Sequence, residues 1–298
     1  MTSPPARRIS PFLGPKLRHL DVEVGKAIPR VVATADDEAI HDLRVAIRRL
    51  RTLLRLARPA YGRFHADAVR LAYTAVFKAT GELRDEEVLD ETLDAVAVPE
   101  PSFVAWRALR TARERRLRRA AIARVRGGEL AKARQLLRAL VTLPALPKRD
   151  KNLGKFAKKC VERARRNVDR LRDVPTEDVV GLHDLRIAYK ELRYAAELLA
   201  PALPIDLAAL AEPAARFQKR LGEIHDADVA IATVSRARAL EPATRAELLA
   251  RLEALRAKRV AKYVAEMAPT AAEESGVEEH AADEASADEA LSQPSVMQ

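Results

Sequence analysis

Residues 41–51, His-Asp-Leu-Arg-Val-Ala-Ile-Arg-Arg-Leu-Arg, recur at 183–193 as His-Asp-Leu-Arg-Ile-Ala-Tyr-Lys-Glu-Leu-Arg. Seven of the eleven positions are identical, and Arg48 to Lys190 keeps its charge. A second pair follows in the same order: Lys-Ala-Thr-Gly-Glu-Leu-Arg-Asp at 78–85 and Lys-Arg-Leu-Gly-Glu-Ile-His-Asp at 219–226. The two offsets, 142 and 141 residues, mark a tandem duplication. Solenoid repeats have periods of about 20–50 residues, so each copy here is expected to be a bundle of domain size.

The first copy is expected to span residues 10–146 and the second 147–268. The boundary falls in Leu143-Pro-Ala-Leu-Pro147, where two prolines interrupt helix. Ala, Leu, Arg and Glu are abundant while aromatics make up only 4% of the chain, a balance that favours helix over strand. The expected fold class is all-α. Spacing and breakers predict helices near 11–34, 36–57, 62–82, 85–95, 100–126 and 129–142 in the first copy. In the second they predict helices near 151–173, 177–200, 206–221, 225–238 and 242–267. Asp36 or Asp37 is placed to cap the helix carrying His41, and Thr176 or Asp178 the one carrying His183.

The formal net charge of +10 is unevenly spread: residues 269–298 hold eight acids and no Lys or Arg, so the body before them carries +18. That acidic tail has no apolar period and is expected to be disordered. A body so basic attracts polyanions, whether nucleic acid, polyphosphate or an anionic membrane surface. No segment approaches the ~20 apolar residues of a membrane span, and residues 1–20 lack the apolar run of a secretory peptide. A soluble cytoplasmic protein is expected, with no membrane association. Cys160 is the sole cysteine, so no intrachain disulfide is available.

Wound at about 100° per residue, the first motif sets His41, Arg44, Arg48, Arg51 and Arg55 within an arc of roughly 80°. Leu43, Ile47, Leu50 and Leu54 form the neighbouring apolar stripe. His183, Arg186, Lys190 and Arg193 repeat the row beside Leu182, Leu185, Ala188 and Leu192. Like charges three or four residues apart on a helix repel, so an acid-free cationic row makes physical sense when a polyanion lies along it. Arginine forks bind phosphate oxygens in bidentate fashion, and a lysine acts as a point charge. A row of this kind is otherwise a solvated face; its retention in both copies, histidine in register, argues for binding.

In the second pair, Gly81 and Gly222 are expected to end a helix with positive φ. Asp85 and Asp226 would then cap the next helix or pin an arginine. Lys78 and Lys219 stand just before each glycine and are taken as further ligand contacts. No nucleophile with a base, no phosphate-binding glycine loop and no dinucleotide turn is present. The His-Asp pairs at 41/42, 183/184 and 225/226 are poor metal sites, because adjacent helical residues point apart and the arginines repel a cation.

The doubled His-Asp-x-Arg helix and the Gly-Glu-x-x-Asp turn after the following helix resemble the CHAD domain, the conserved histidine α-helical domain. The resemblance covers about residues 10–268. It implies two tandem four-helix-bundle halves related by a pseudo-twofold axis, with basic residues lining a central cleft or pore. It also implies binding of inorganic polyphosphate and association with polyphosphate granules. The family's basic positions fall on His41, Arg44, Arg48 and Arg51, and on His183, Arg186, Lys190 and Arg193. His225 stands where the first copy has Arg84, and Glu191 and Glu197 where it has Arg49 and Arg55, so the second face is less positive. Many relatives carry a triphosphate-tunnel hydrolase domain, which is not expected here because the chain begins almost directly with the helical body.

The residues therefore point to a non-catalytic binder of inorganic polyphosphate, monomeric or dimeric, with no cofactor and no metal. Nucleic-acid binding is the main alternative, weakened by the scarcity of aromatics for base stacking and by the lack of a helix-turn-helix signature. A metal-dependent polyphosphate or triphosphate hydrolase is a second alternative; it needs an acidic metal site, and phosphate release with Mg²⁺ or Mn²⁺ would reveal it. A docking face for an acidic protein is a third alternative.

Overall fold

The computed structural model describes residues 8–33, 38–142, 152–203 and 207–267. The copy boundary at 143–147, the caps Asp36 and Asp37, and the acidic tail 269–298 lie outside the described residues. Within them the chain is all-α. The only pairing of extended backbone among the described residues is an isolated antiparallel bridge between Arg8 and Asn152.

The first copy comprises α1 (Ile9–Ala33), α2 (Glu38–Tyr61), α3 (Arg63–Ala79), α4 (Gly81–Asp94), α5 (Pro101–Arg126) and α6 (Glu129–Thr142). The second comprises α7 (Leu153–Leu171), α8 (Val179–Leu199), a 3-10 turn at Ala200–Ala202, α9 (Ala208–Ser235) and α10 (Pro242–Met267). At the repeat offset, α1 matches α7, α2 matches α8, α3 with α4 matches α9, and α5 matches α10. The two matched sets are the four-helix halves and are related by a pseudo-twofold axis. α6 has no counterpart among the described residues; it packs on α1 and α3, and its Arg134 and Arg138 both reach Asp21, which is only 5% exposed.

The motif helices sit at the centre because their apolar stripes are continuous. Leu43, Ile47, Leu50, Leu53 and Leu54 of α2 are fully buried between α1 and α3. Leu182, Leu185, Ala188 and Leu192 of α8 are buried against α7 and α9. Asp178 caps α8, its carboxylate accepting from Gly181 N at 2.9 Å. Asn152 caps α7 in the same way at 2.9 Å. One large apolar cluster runs through α1–α3 and on into α7–α9. A smaller one joins Leu89, Leu93, Phe103 and Trp106 of the first copy to Val234, Leu248 and Leu252 of the second. The copies thus share their cores.

Three sequence expectations need correction. Helices expected at 206–221 and 225–238 are one helix, α9, and Gly222 lies within it. Neither Gly222 nor Gly81 has positive φ; that conformation belongs to Gly62 (84°), which ends α2, and to Gly128 (82°). The first copy does break at this point, between α3 and α4, but the break is made by Thr80. The Thr80 hydroxyl contacts the Phe77 carbonyl at 3.1 Å and accepts from Arg44 at 2.9 Å. In the second copy Leu221 stands at that position and the helix continues. Finally, the helix expected to end near residue 57 runs through Pro59 to Tyr61.

Candidate functional site

α2 and α8 touch across the pseudo-twofold axis, and their cationic rows meet there. Arg48, Arg51 and Arg55 of α2 line a cavity of about 220 Å³ together with Lys190, Glu191 and Tyr194 of α8 and Arg70 and Phe77 of α3. Arg186 is close enough to Arg48 for the charge on Arg48 to lower it.

Several partly buried arginines elsewhere are matched with acids. Arg107 pairs with Asp90 and Asp94, Arg110 and Arg113 with Glu86, and Arg256 with Asp228. Arg48, Arg51, Arg186 and Lys190 form no ion pair among the described residues. Arg48 donates one long bond, 3.4 Å, to the Tyr194 hydroxyl. The Nε atoms of Arg51 and Arg186 are buried with no hydrogen-bond partner. Buried donors without acceptors cost free energy, and four clustered cations add mutual repulsion. Such a cluster fits a site completed by an anion.

Burial first, then the charges of Arg186 and Arg48, push the Lys190 ammonium down to about 8. Burial, with Arg70 and Arg48, lowers Arg51. Burial likewise lowers Arg186, opposed by Asp226.

Phe77 holds three guanidiniums against its ring: Arg44 at 4.4 Å, Arg51 at 4.7 Å and Arg48 at 5.8 Å from the centroid. Cation–π attraction of this kind orders long side chains before a ligand arrives. At the repeat offset Phe77 corresponds to Gln218, so the platform exists in one copy only.

The other expected site residues divide. Arg55 lies at the cluster but is bonded to Glu191 at 2.5 Å, and Arg193 is bonded to Glu197 at 2.6 Å. Arg44 is not an open ligand group: it is 7% exposed and donates to the Phe77 carbonyl (3.0 Å) and the Thr80 hydroxyl (2.9 Å). Burial pushes it down to about 10. Lys78 and Lys219 are exposed on α3 and α9, and neither lines the α2–α8 cavity.

The two histidines part company. His183 brings its Nδ1 to 3.4 Å from that of His225, with ring centroids 4.7 Å apart. Burial, then Arg186, push His225 down to about 4 and lower His183 as well. His41 is exposed and lines a different cavity, of about 360 Å³, with Arg84 and six acids from α2, α4 and α5. The two motif histidines therefore have different surroundings: the first copy sets His41 beside Arg84 and the second His183 beside His225.

Asp85 and Asp226 cap no helix. Both lie inside helices, α4 and α9, and both stabilise the charge on Arg186. No group of three or more potential metal ligands occurs among the described residues.

Sequence reasoning passed over Phe77, Arg70 and Tyr194, and also a basic groove alongside. That groove, about 520 Å³, lies between α2, α7 and α8 and carries Lys155, Lys159 and Arg163. Their i, i+4, i+8 spacing was readable. It has no counterpart in the first copy, where Leu13, Leu17 and Asp21 stand at the repeat offset, so a search guided by duplication misses it.

The chain resembles two solved structures. The crystal structure of the CHAD domain from the plant Ricinus communis matches with a TM-score of 0.70 at 21% identity, over 91% of this chain and 96% of that one. PptA from Streptomyces chartreusis matches with a TM-score of 0.66 at 18% identity, over 87% and 98% of the two chains. These likenesses speak to the fold. No curated protein matches the sequence. No described helix is long and apolar enough to cross a membrane. The sequence model of the CHAD domain matches residues 23–235, a span that takes in both copies of both motifs. With that match over most of its length, and with the α2–α8 pairing to go with it, the chain belongs to the CHAD domain family.

Proposed function

We propose that this protein binds inorganic polyphosphate without catalysis, at the cavity between α2 and α8. Family membership supports a polyphosphate-related role. The observation that carries the reading is the cluster of Arg48, Arg51, Arg186 and Lys190, four neighbouring cations that form no ion pair among the described residues. A chain of phosphates supplies one charge per unit and acceptors on every side. It therefore satisfies the orphaned Nε donors and relieves the repulsion in one step. Arg55 and Arg193, now held by Glu191 and Glu197, extend the path when the anion displaces those carboxylates. Lys155, Lys159 and Arg163 continue it along α7. Granule association follows from the same affinity.

The ligand contacts proposed from the structure are narrower than the sequence set. Arg48, Arg51, Arg186 and Lys190 form the centre, Arg55 and Arg193 flank it, and His183 with His225 borders it. His41, Lys78 and Lys219 stand apart, and Arg44 braces α2 against α3.

The test is a titration of the full chain with polyphosphate of defined length at two salt concentrations. Affinity should fall steeply with salt, as it does when condensed counterions are released from nucleic acid. The triple variant Arg48→Ala, Arg51→Ala, Arg186→Ala should lose binding while keeping its helical circular dichroism and cooperative melting. Wild-type affinity in that variant would falsify the assignment. Displacement of polyphosphate by DNA at equal charge concentration would favour a nucleic-acid ligand instead. Release of phosphate in the presence of Mg²⁺ or Mn²⁺ would overturn the non-catalytic part.

A further inference from the structure

Lys190 is the one amine in the wall of the α2–α8 cavity. Its neighbour Glu191 is engaged by Arg55, so no carboxylate holds the Lys190 ammonium. Around it stand Arg48, Arg51 and Arg186, and guanidiniums do not lose their protons at working pH. Desolvation and neighbouring cations favour the free amine of a lysine, the form that acts as a nucleophile. In this cavity the residues that activate the amine are also phosphate receptors.

We propose that Lys190 is a modification site, acylated by small acyl phosphates whose phosphate the cavity arginines hold. The inference rests on the reading above that this cavity receives phosphate. The free amine of Lys190 attacks the acyl carbon. A carbon–nitrogen bond forms as the carbon–oxygen bond to phosphate breaks, inorganic phosphate leaves, and the surplus amine proton passes to water. No oxidant or further reactant is needed. The amine state the step requires is populated near neutral pH, because burial and the arginines push Lys190 down to about 8. A cavity of about 220 Å³ suits a short acyl phosphate. The product is a neutral amide in the middle of the cationic cluster, so acylation would lower the affinity for polyanions.

The experiment incubates the full chain with acetyl phosphate near pH 8 and follows each lysine by peptide mass spectrometry. The exposed Lys78 and Lys219 serve as internal references. Lys190 should be acetylated at least about tenfold faster than either, given the larger share of free amine. Inorganic phosphate or polyphosphate should slow it. With the uncharged reagent N-hydroxysuccinimidyl acetate the preference for Lys190 should shrink, because there is no phosphate to be held. Acetyl phosphate treatment should weaken polyphosphate binding by roughly tenfold, the loss of one charged contact. Treated and untreated Lys190→Arg should bind alike.

Equal rates at Lys190 and the reference lysines under acetyl phosphate would overturn the proposal. An undiminished preference with the uncharged reagent would overturn the assignment to acyl phosphates. The polyphosphate titration of untreated protein is a separate measurement. Failure there with selective labelling of Lys190 retained would remove the polyphosphate reading and leave this one standing.

Discussion

Arg55 of α2 and Glu191 of α8 meet at 2.5 Å, and exchanging each for its repeat equivalent gives Arg49 and Glu197, which meet at 3.9 Å. The two pairs are one contact seen twice across the pseudo-twofold axis, as at an isologous dimer interface. The acids that make the second motif less basic are thus the partners of the first motif's arginines. They also compete with any anion for Arg55. Replacing Glu191 by Gln should raise polyphosphate affinity at low salt about three- to tenfold, because Arg55 becomes available without displacement. The cost in stability should stay within about 1 kcal/mol, as for other half-exposed ion pairs. Unchanged affinity in this variant would place Arg55 outside the ligand path.

Lys190 is a stability liability in the empty protein. Its charge is desolvated and faces arginines without a bonded acid. Its folded value lies below that of an unfolded lysine, so the unfolded chain binds the proton more readily. Stability contributed by Lys190 is therefore lost as pH falls from about 10.4 to about 8. At neutral pH the penalty is fully present. Lys190→Met keeps the volume and removes the charge. It should raise Tm by about 2–4 °C, the shift that 1 kcal/mol gives a chain of this size. Polyphosphate binding should weaken in the same variant. A lower Tm would show that the lysine is satisfied by a group not yet identified.

Arg44 and Arg186 occupy equivalent repeat positions and should behave oppositely. Arg44 donates to a carbonyl and to a hydroxyl at the α3–α4 break. Arg44→Ala should cost about 2–4 kcal/mol through the lost charged hydrogen bonds and the cavity left behind. Arg186 has no bonded partner, and Arg186→Ala should leave urea unfolding within about 1 kcal/mol of wild type while weakening polyphosphate binding. Matching losses of stability in both variants would contradict the division into brace and ligand group.

The His183–His225 pair predicts a pH dependence. Both imidazoles are held below their ordinary value, His225 down to about 4, by burial and by Arg186. Bound phosphate favours the charged imidazole, so binding takes up protons and affinity should rise as pH falls from about 7 towards 5. In the empty protein the sign reverses. The unfolded chain binds protons first, and stability should fall from about pH 6.5 down to about 4. Replacing His225 by Phe should flatten both profiles; a variant that titrates like wild type would move the effect to other groups.

Much of the fold was legible before any coordinates. The His-Asp-x-Arg motif, read once, is a basic helix face. Read twice at a constant offset, it fixes a duplicated all-α chain with α2 and α8 as equivalents, because the stripes beginning at Leu43 and Leu185 demand burial next to the charged rows. The same spacing sets Arg48, Arg51, Arg186 and Lys190 on the charged rows beside those stripes. What could not be read depends on which way an edge turns after packing. His41 and His183 have identical local sequence, yet the partner at the other end is Arg84 in one copy and His225 in the other, and the surroundings diverge. Arg44 looked like its neighbours on the helical wheel until the bend at Thr80 offered it two acceptors. Phe77 left no trace in charge pattern, since its role arises from three arginines on another helix.

The sign difference at positions 49/55 and 191/197 has a consequence for how the two repeats came to depend on each other. A pseudodimer of two first repeats would set arginine against arginine at both crossings, and one of two second repeats would set glutamate against glutamate. Only the mixed combination is neutral there. Each repeat has become a specific mate for the other, and joining them in one polypeptide guarantees that they occur in equal number.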